Sequence, residues 1–277
     1  MAAITPQMVK ELRDKTDAGM GECKKALIEA NGDIEAAVDI LRKAGIAKSA
    51  HRADRATAEG KIFVAVDGNQ ALMLEVCCET DFVANNEKFL EYGNGAAKKI
   101  LANTTGDGDV TEAAQKSEET ELAALFSKFG EKMIIRRALR YTTDQKIAYY
   151  IHFNGKIAYY IHFNGKIGVL LDIGGEIDEA GIKNTCLQIC ASSPLYVNSS
   201  EVPADAIAHE KEIATAQLKE SGKPDNIIEK IVTGKINSWY GEICLVNQPW
   251  ILDNKTTFGK LFPKATVKRF ARWAVGQ

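Results

Sequence analysis

Long apolar runs are the first thing this chain lacks. Nothing in its 277 residues approaches the roughly 20 uninterrupted apolar residues that cross a bilayer, and the opening MAAITPQMVKELRDK has no apolar export core. A cytoplasmic protein with no membrane partner is expected. Charge of one sign is also missing: 35 Lys and Arg stand against 37 Asp and Glu, a formal net charge of -2, so no overall basic field draws phosphate backbones. Nucleic acid is not an expected partner. The six cysteines (Cys23, Cys77, Cys78, Cys186, Cys190, Cys244) include no CxxC pair and the four histidines lie elsewhere, so reduced, mostly buried thiols are expected and no metal. The GxxxxGK[ST], GxSxG and HExxH signatures do not occur. His51, His152, His162 and His209 have no evident nucleophile or carboxylate partner, so neither an enzyme active site nor a cofactor of the chain's own is expected.

What is present is ordinary globular material, 45% hydrophobic and 26% charged, in a length that suggests two domains at roughly 100 to 200 residues each. Helix punctuation opens the chain. Thr5 is an N-cap, Pro6 suits the first helical position, and Ile4 and Val9 make a hydrophobic staple ahead of the stripe Met8, Val9, Leu12. A second stripe begins with Met20, Cys23 and Leu27. After the Asn31-Gly32 turn, Asp33 caps a third helix with stripe Ile34, Ala37, Val38, Leu41, and Gly45 stands where a C′ glycine belongs. Residues 1–45 thus read as a three-helix bundle. Residues 46–59, Ala-rich with Lys48, His51, Arg52 and Arg55, read as an exposed linker or a solvated helix.

KIFVAV, Asp67-Gly68 and ALMLEVCC predict a β-hairpin on a type I′ turn. Helices follow from about Asn86 to Asn103 and Ser117 to Phe129, and strand alternation returns from Met133 to Tyr141, making residues 60–141 a ββααβ subdomain. The motif then repeats. DGNQALMLEV (Asp67 to Val76) aligns without gaps to NGKIGVLLDI (Asn164 to Ile173), and IRRALRY (Ile135 to Tyr141) to VKRFARW (Val267 to Trp273). Residues 142–277 are therefore a second, related subdomain, and the fold class is α+β with antiparallel sheets. Within it, Pro203 to Ser221 and Asp225 to Tyr240 read as a helical hairpin (residues 203–240) broken at Gly222-Lys223-Pro224.

KIAYYIHFNG occurs twice in succession, at Lys146 to Gly155 and Lys156 to Gly165. Its even length keeps the strand period, so the repeat reads as one extra strand of a meander. Its aromatics (Tyr149, Tyr150, Phe153, Tyr159, Tyr160, Phe163) could stack bases, but sheet packing is the favoured reading because few cations accompany them. The segment that stands out is Cys78-Glu79-Thr80-Asp81-Phe82-Val83-Ala84-Asn85-Asn86, between a strand and a helix. Phe82 beside a carboxylate suits an anchor entering a partner's pocket; the alternative is an N-cap by Asp81 with Phe82 in the core.

DAGMGECKKALIEANGDIEAAVDILRKAG followed by CETDFVANNEKF, then GKIGVLLDIGG, GKPDNIIEKIVTGKI with NQPW, and KRFARWAVG, closely resembles bacterial translation elongation factor Ts over nearly the whole chain. The resemblance implies a ubiquitin-associated-like bundle, two related subdomains and an antiparallel coiled-coil hairpin. It further implies guanine-nucleotide exchange on elongation factor Tu, in its GDP-bound and nucleotide-free states, by a factor that is not itself an enzyme and holds no cofactor. Carried over by motif, Thr80, Asp81, Phe82 and Val83 form the loop that intrudes on the partner's magnesium and nucleotide site. Gly19, Met20, Cys23 and Lys24 fall in the docking module, although a bundle-core role explains Met20 and Cys23 equally well, and the helical hairpin offers a surface for a homodimer. The duplicated KIAYYIHFNG has no counterpart in the family pattern, and some members continue past the position of Trp273 into a helical extension. A translation-associated or RNA-binding module without exchange activity is the alternative.

Overall fold

The computed structural model describes residues 4–16, 18–51, 55–151, 165–219 and 224–277. Among these are ten α-helices, one 3-10 helix and nine strands, an α+β protein in which Gln70–Cys78 pairs antiparallel with Glu59–Asp67 and Ile134–Thr142, Gly108–Asp109 with Ile134–Thr142, Lys146–Ile151 with Ile167–Gly175 and Pro249–Trp250 with Asp253–Thr257, and Tyr196 and Cys244 form an isolated parallel bridge. The elements form two compact units. One holds the chain up to Thr142 with Gly165–Ile167 and Ala274–Gln277; the other runs mainly from Gly168 to Trp273 and includes the strand Lys146–Ile151.

In the first unit, α1 (Pro6–Thr16), α2 (Met20–Glu29) and α3 (Ile34–His51) surround a core of Val9, Leu12, Ala18, Cys23, Ala26, Leu27, Ala37 and Leu41. The caps are those the sequence announces: Thr5 Oγ1 accepts from Met8 N–H at 3.3 Å, and Asp33 Oδ1 from Ala36 N–H at 3.0 Å. Two expectations fail. Helix α3 does not stop at Gly45 but continues to His51, so the first part of the expected 46–59 linker is helical and 52–54 lie outside the described residues. The Ala- and Lys-rich residues on either side are strong helix formers, and a helical glycine costs only about 1 kcal/mol against alanine. Met20 is not a core residue either: it is 60% exposed. As the first residue of α2, its side chain points back past the helix end, while Cys23, Ala26 and Leu27 turn inward.

Strands β1 (Glu59–Asp67) and β2 (Gln70–Cys78) form the expected hairpin, with Asp67 opposite Gln70 and Glu59 opposite Cys78. The turn residues are Gly68-Asn69 rather than Asp67-Gly68. Only Gly68 takes a positive φ (57°), the pattern of a II′ rather than a I′ turn. After α4 (Asp81–Ala84) and α5 (Glu87–Asn103), a two-residue strand β3 (Gly108–Asp109) sits in the expected loop. Helix α6 (Thr111–Phe129) then starts six residues before Ser117, and β4 (Ile134–Thr142) completes a sheet of order β1-β2-β4-β3. The early turn of α6 went unread because it puts only Ala114 into the core; Asp109 Oδ1 accepts from Thr111 N–H at 2.7 Å, and that bonding holds its carboxyl below the ordinary value. Helix α5 lies close against the hairpin: a Cβ on Gly93 would sit 2.1 Å from Phe63 Cζ. Phe63, Leu72, Leu74, Val76, Phe89, Ile100 and Ile135 make up much of this core.

The second unit is built on β5 (Lys146–Ile151), β6 (Ile167–Gly175) and α7 (Glu179–Ser192). Helices α8 (Ala204–Lys219) and α9 (Asp225–Ile243) follow, then the ribbon β7 (Pro249–Trp250) and β8 (Asp253–Thr257), α10 (Phe258–Leu261) and β9 (Ala265–Ala274). Its main sheet has the order β5-β6-β9. Ala214 of α8 packs with Ile228, Val232 and Ile236 of α9, while Ser221, Gly222 and Lys223 of the expected hairpin break lie outside the described residues. Of the duplicated decapeptide, the first copy supplies β5; residues 152–164, with His152, His162 and the expected extra strand, also lie outside.

The internal repeat is legible in three dimensions. Strands β2 and β6 begin and end at matched positions of the gap-free alignment, and each buries one carboxylate completely at the same matched position, Glu75 and Asp172. Each carboxylate takes the Nε of the matched arginine on the closing strand: Arg137 to Glu75 at 2.6 Å, Arg269 to Asp172 at 3.2 Å. Glu75 and Arg137 stand directly opposite, and the register slips just beyond them so that Arg136 is the extra residue on β4. The remaining acceptor sites are used: Glu75 Oε1 by Gly276 N–H at 3.0 Å, and Asp172 Oδ1 by the Thr143 hydroxyl at 2.8 Å.

Candidate functional site

The turn between β2 and α5 puts Asp81, Phe82 and Val83 on one short helix, α4, with Thr80 directly before it. Its cap is Thr80, not Asp81: Thr80 Oγ1 accepts from Val83 N–H at 3.4 Å. That leaves the Asp81 side chain uncommitted to capping and exposed to solvent, while Asp81 O accepts from Asn85 Nδ2 at 2.9 Å. Core burial of Phe82 is also overturned. Phe82 is 84% exposed, because one helical turn with Val83 (7%) and Ala84 (1%) facing the core sends position 82 outward.

A solitary exposed apolar residue is common on protein surfaces. Here the backbone that carries it is tied down at both ends. The Thr80 amide and hydroxyl donate to Glu131 at 3.1 and 2.7 Å, Cys78 Sγ donates to Thr80 O at 3.2 Å, and Asn85 Oδ1 accepts from Lys61 Nζ at 2.9 Å. Lys61 is itself buried, and that desolvation, with Lys166 nearby, pushes its ammonium pKa below the ordinary lysine value. Sequence reasoning missed Glu131 and Lys61, because neither belongs to a local motif and both reach the turn across the sheet.

The four residues expected in the N-terminal module divide. Gly19, the N-cap of α2, is exposed with Met20 and Lys24, whereas Cys23 is fully buried, its thiol 3.6 Å from Ala18 O and pushed up in pKa by burial. Ile28, unread from sequence and 50% exposed, continues the Met20–Lys24 row at helical spacing. All six cysteines are buried and free, as expected.

The turn thus presents an exposed aromatic beside an exposed carboxylate, braced by two buried or half-buried partners. Comparison with known proteins gives the family. A family model described as "Elongation factor TS" matches residues 79–277. The chain is 42% identical to elongation factor Ts of Psychrobacter sp. (strain PRwf-1), over 100% of this chain and 92% of the relative. It is 42% identical to elongation factor Ts of Nitrosomonas eutropha, over 100% and 93%, and 43% identical to that of Thioalkalivibrio sulfidiphilus, over 99% and 92%. The chain belongs to the elongation factor Ts family, and with it to the elongation factors of protein biosynthesis.

Proposed function

We infer that the chain is the guanine-nucleotide exchange factor of its family, acting on elongation factor Tu, and that it works through the α4 turn. The observation that carries the loop mechanism is Phe82 at 84% exposure on a braced backbone. A GTPase holds Mg²⁺ between a loop hydroxyl, a carboxylate and the nucleotide phosphates, so a wedge that shifts those elements weakens metal and nucleotide together. Phe82 is the wedge. Asp81, beside it and exposed, brings negative charge toward the magnesium side, where it competes with the phosphates for the cation. Thr80 and Val83 hold the turn, one as cap and one as core anchor. By thermodynamic reciprocity, incoming nucleotide lowers the affinity of the factor by the same ratio and so completes the cycle.

The exposed row Gly19, Met20, Lys24 and Ile28 supports a second docking surface on the N-terminal helices; Cys23 contributes there by packing only. The three helices suit a ubiquitin-associated-like bundle (residues 1–45, with 46–59 joining it to the core). Residues 60–141 and 142–277 are the two related subdomains, and the apolar seam of α8 and α9 suits an antiparallel coiled coil able to pair two copies. No described helix is long and apolar enough to cross a membrane, and we place the protein in the cytoplasm with its partner.

The test is release of a fluorescent GDP analogue from elongation factor Tu by stopped flow. Acceleration by the wild type, blunted in Asp81→Ala and Phe82→Ala, is expected. A folded wild type that binds elongation factor Tu without accelerating release would favour instead a translation-associated module without exchange activity.

A further inference from the structure

Two carboxylates hold the turn that carries Phe82, and they do so reciprocally. Glu131 follows Gly130, whose left-handed φ of 69° ends α6 and whose N–H donates to Phe126 O at 2.8 Å, so the helix C-cap sets where Glu131 starts. From there its two oxygens accept from a single residue: Oε2 from the Thr80 amide at 3.1 Å and Oε1 from the Thr80 hydroxyl at 2.7 Å. In the opposite direction Glu79 Oε1 accepts from Lys132 N–H at 2.7 Å, and Glu79 Oε2 from Arg55 Nη1 at 2.9 Å. Neighbouring residues 79 and 80 are thus cross-bonded to neighbouring residues 131 and 132, which lie more than 50 positions away. At the other end of the turn Lys61 holds Asn85.

We propose that Glu131, with Glu79 as its counterpart, is a positioning residue for nucleotide exchange: a reciprocal carboxylate clamp that sets the α4 turn in its docking conformation before the partner arrives. The proposal rests on the exchange reading above. Hydrogen bonds to an ionised acceptor are about twice as strong as neutral ones, and two of them on one residue fix direction as well as distance. Thr80 is the cap of α4, so holding its amide and hydroxyl also orients the first turn and with it Phe82. A turn that is only fractionally in the competent conformation binds with an apparent dissociation constant raised by that fraction. Once docked, the turn is held by the partner itself. Loss of the clamp therefore raises the concentration of factor needed and spares the maximal rate.

Two measurements test this. Amide hydrogen exchange of the free protein reads the clamp; GDP-analogue release from elongation factor Tu over a range of factor concentrations reads its use. Glu131→Ala is expected to speed amide exchange at residues 80–85 while β1 and β2 stay protected. It should raise the half-saturating concentration roughly tenfold and keep the maximal rate within about twofold. Thr80→Val, which removes the hydroxyl donor from the other side, should give part of the same shift and Thr80→Ser should restore it. The double variant Thr80→Val with Glu131→Ala should shift less than the sum of the two single variants, the excess over Glu131→Ala being the α4 cap that Thr80→Val also removes. Unchanged protection at 80–85 overturns the clamp, and so does an unchanged half-saturation point or protection lost equally across the sheet. If the wild type does not accelerate release at all, the exchange reading falls and takes the positioning role with it. Acceleration by the wild type matched by Glu131→Ala overturns the clamp alone.

Discussion

Phe82 and Val83 are neighbours on one helical turn, yet truncating them should have opposite consequences. Phe82 is 84% exposed, so Phe82→Ala removes almost nothing from the folded core and should leave stability within about 0.5 kcal/mol of the wild type. If the ring enters a pocket of the partner, burying it contributes about 2 kcal/mol, and its loss should lower the second-order exchange rate roughly 30-fold. Val83 is 7% exposed and belongs to the core of β1, β2 and α5. Val83→Ala deletes two methyl groups there, worth about 2 kcal/mol with the cavity they leave, or a fall in Tm of roughly 5 °C, while the exposed Phe82 is retained. The assay pairs differential scanning calorimetry with stopped-flow release of a GDP analogue. The reasoning is refuted if Phe82→Ala lowers Tm as much as Val83→Ala, which would mean the ring packs on its own protein. It is refuted equally if Phe82→Ala exchanges at the wild-type rate.

The matched ion pairs should be matched in energy: Glu75→Gln and Asp172→Asn each leave an arginine facing a neutral buried partner and should each cost about 3 kcal/mol, read as a lower urea midpoint. Burial pushes the thiols of Cys77, Cys78 and Cys186 up to about 12; Glu75 adds to the effect on Cys77, Glu131 on Cys78 and Cys190 on Cys186. The native chain then holds thiol protons that the unfolded chain loses near pH 9, so stability is full below about pH 9 and falls as pH rises toward 12, by about 1.4 kcal/mol per thiol per pH unit. Urea melts across that range check the sign, with Lys61, shifted the other way, offsetting part of the loss. At neutral pH the same thiols should react with Ellman's reagent only as fast as the protein opens. On α2, Met20→Ala should weaken binding to elongation factor Tu with Tm unchanged, whereas Cys23→Ser should lower Tm, a contrast that titration calorimetry and melting curves settle.

Local patterns told a good deal about this protein. Capping residues Thr5 and Asp33 and the existence of the β1–β2 hairpin rest on signals within a few positions of chain, so they can be read without knowing what packs on what, although the turn itself falls one residue later than read. The repeat was legible for the same reason: two copies of one local pattern announce two related sheets, and the matched carboxylates and arginines could be aligned before any of them was known to touch. The TDFVA segment was visible as an oddity between strand and helix. Its state was not. Whether Phe82 faced core or solvent depended on which residue capped α4, and Thr80 wins that position partly because Glu131 already holds its amide and hydroxyl. The course of α3 through Gly45 and the exposure of Met20 have local causes, the helix formers on either side and the start of α2, but those signals are weak enough for a stop glycine and an apolar stripe to be read in their place. A strand or a cap costs and gains free energy within one turn of chain. A bond between residues 80 and 131 exists only after two strands and two helices have packed, and only the tertiary structure could place it.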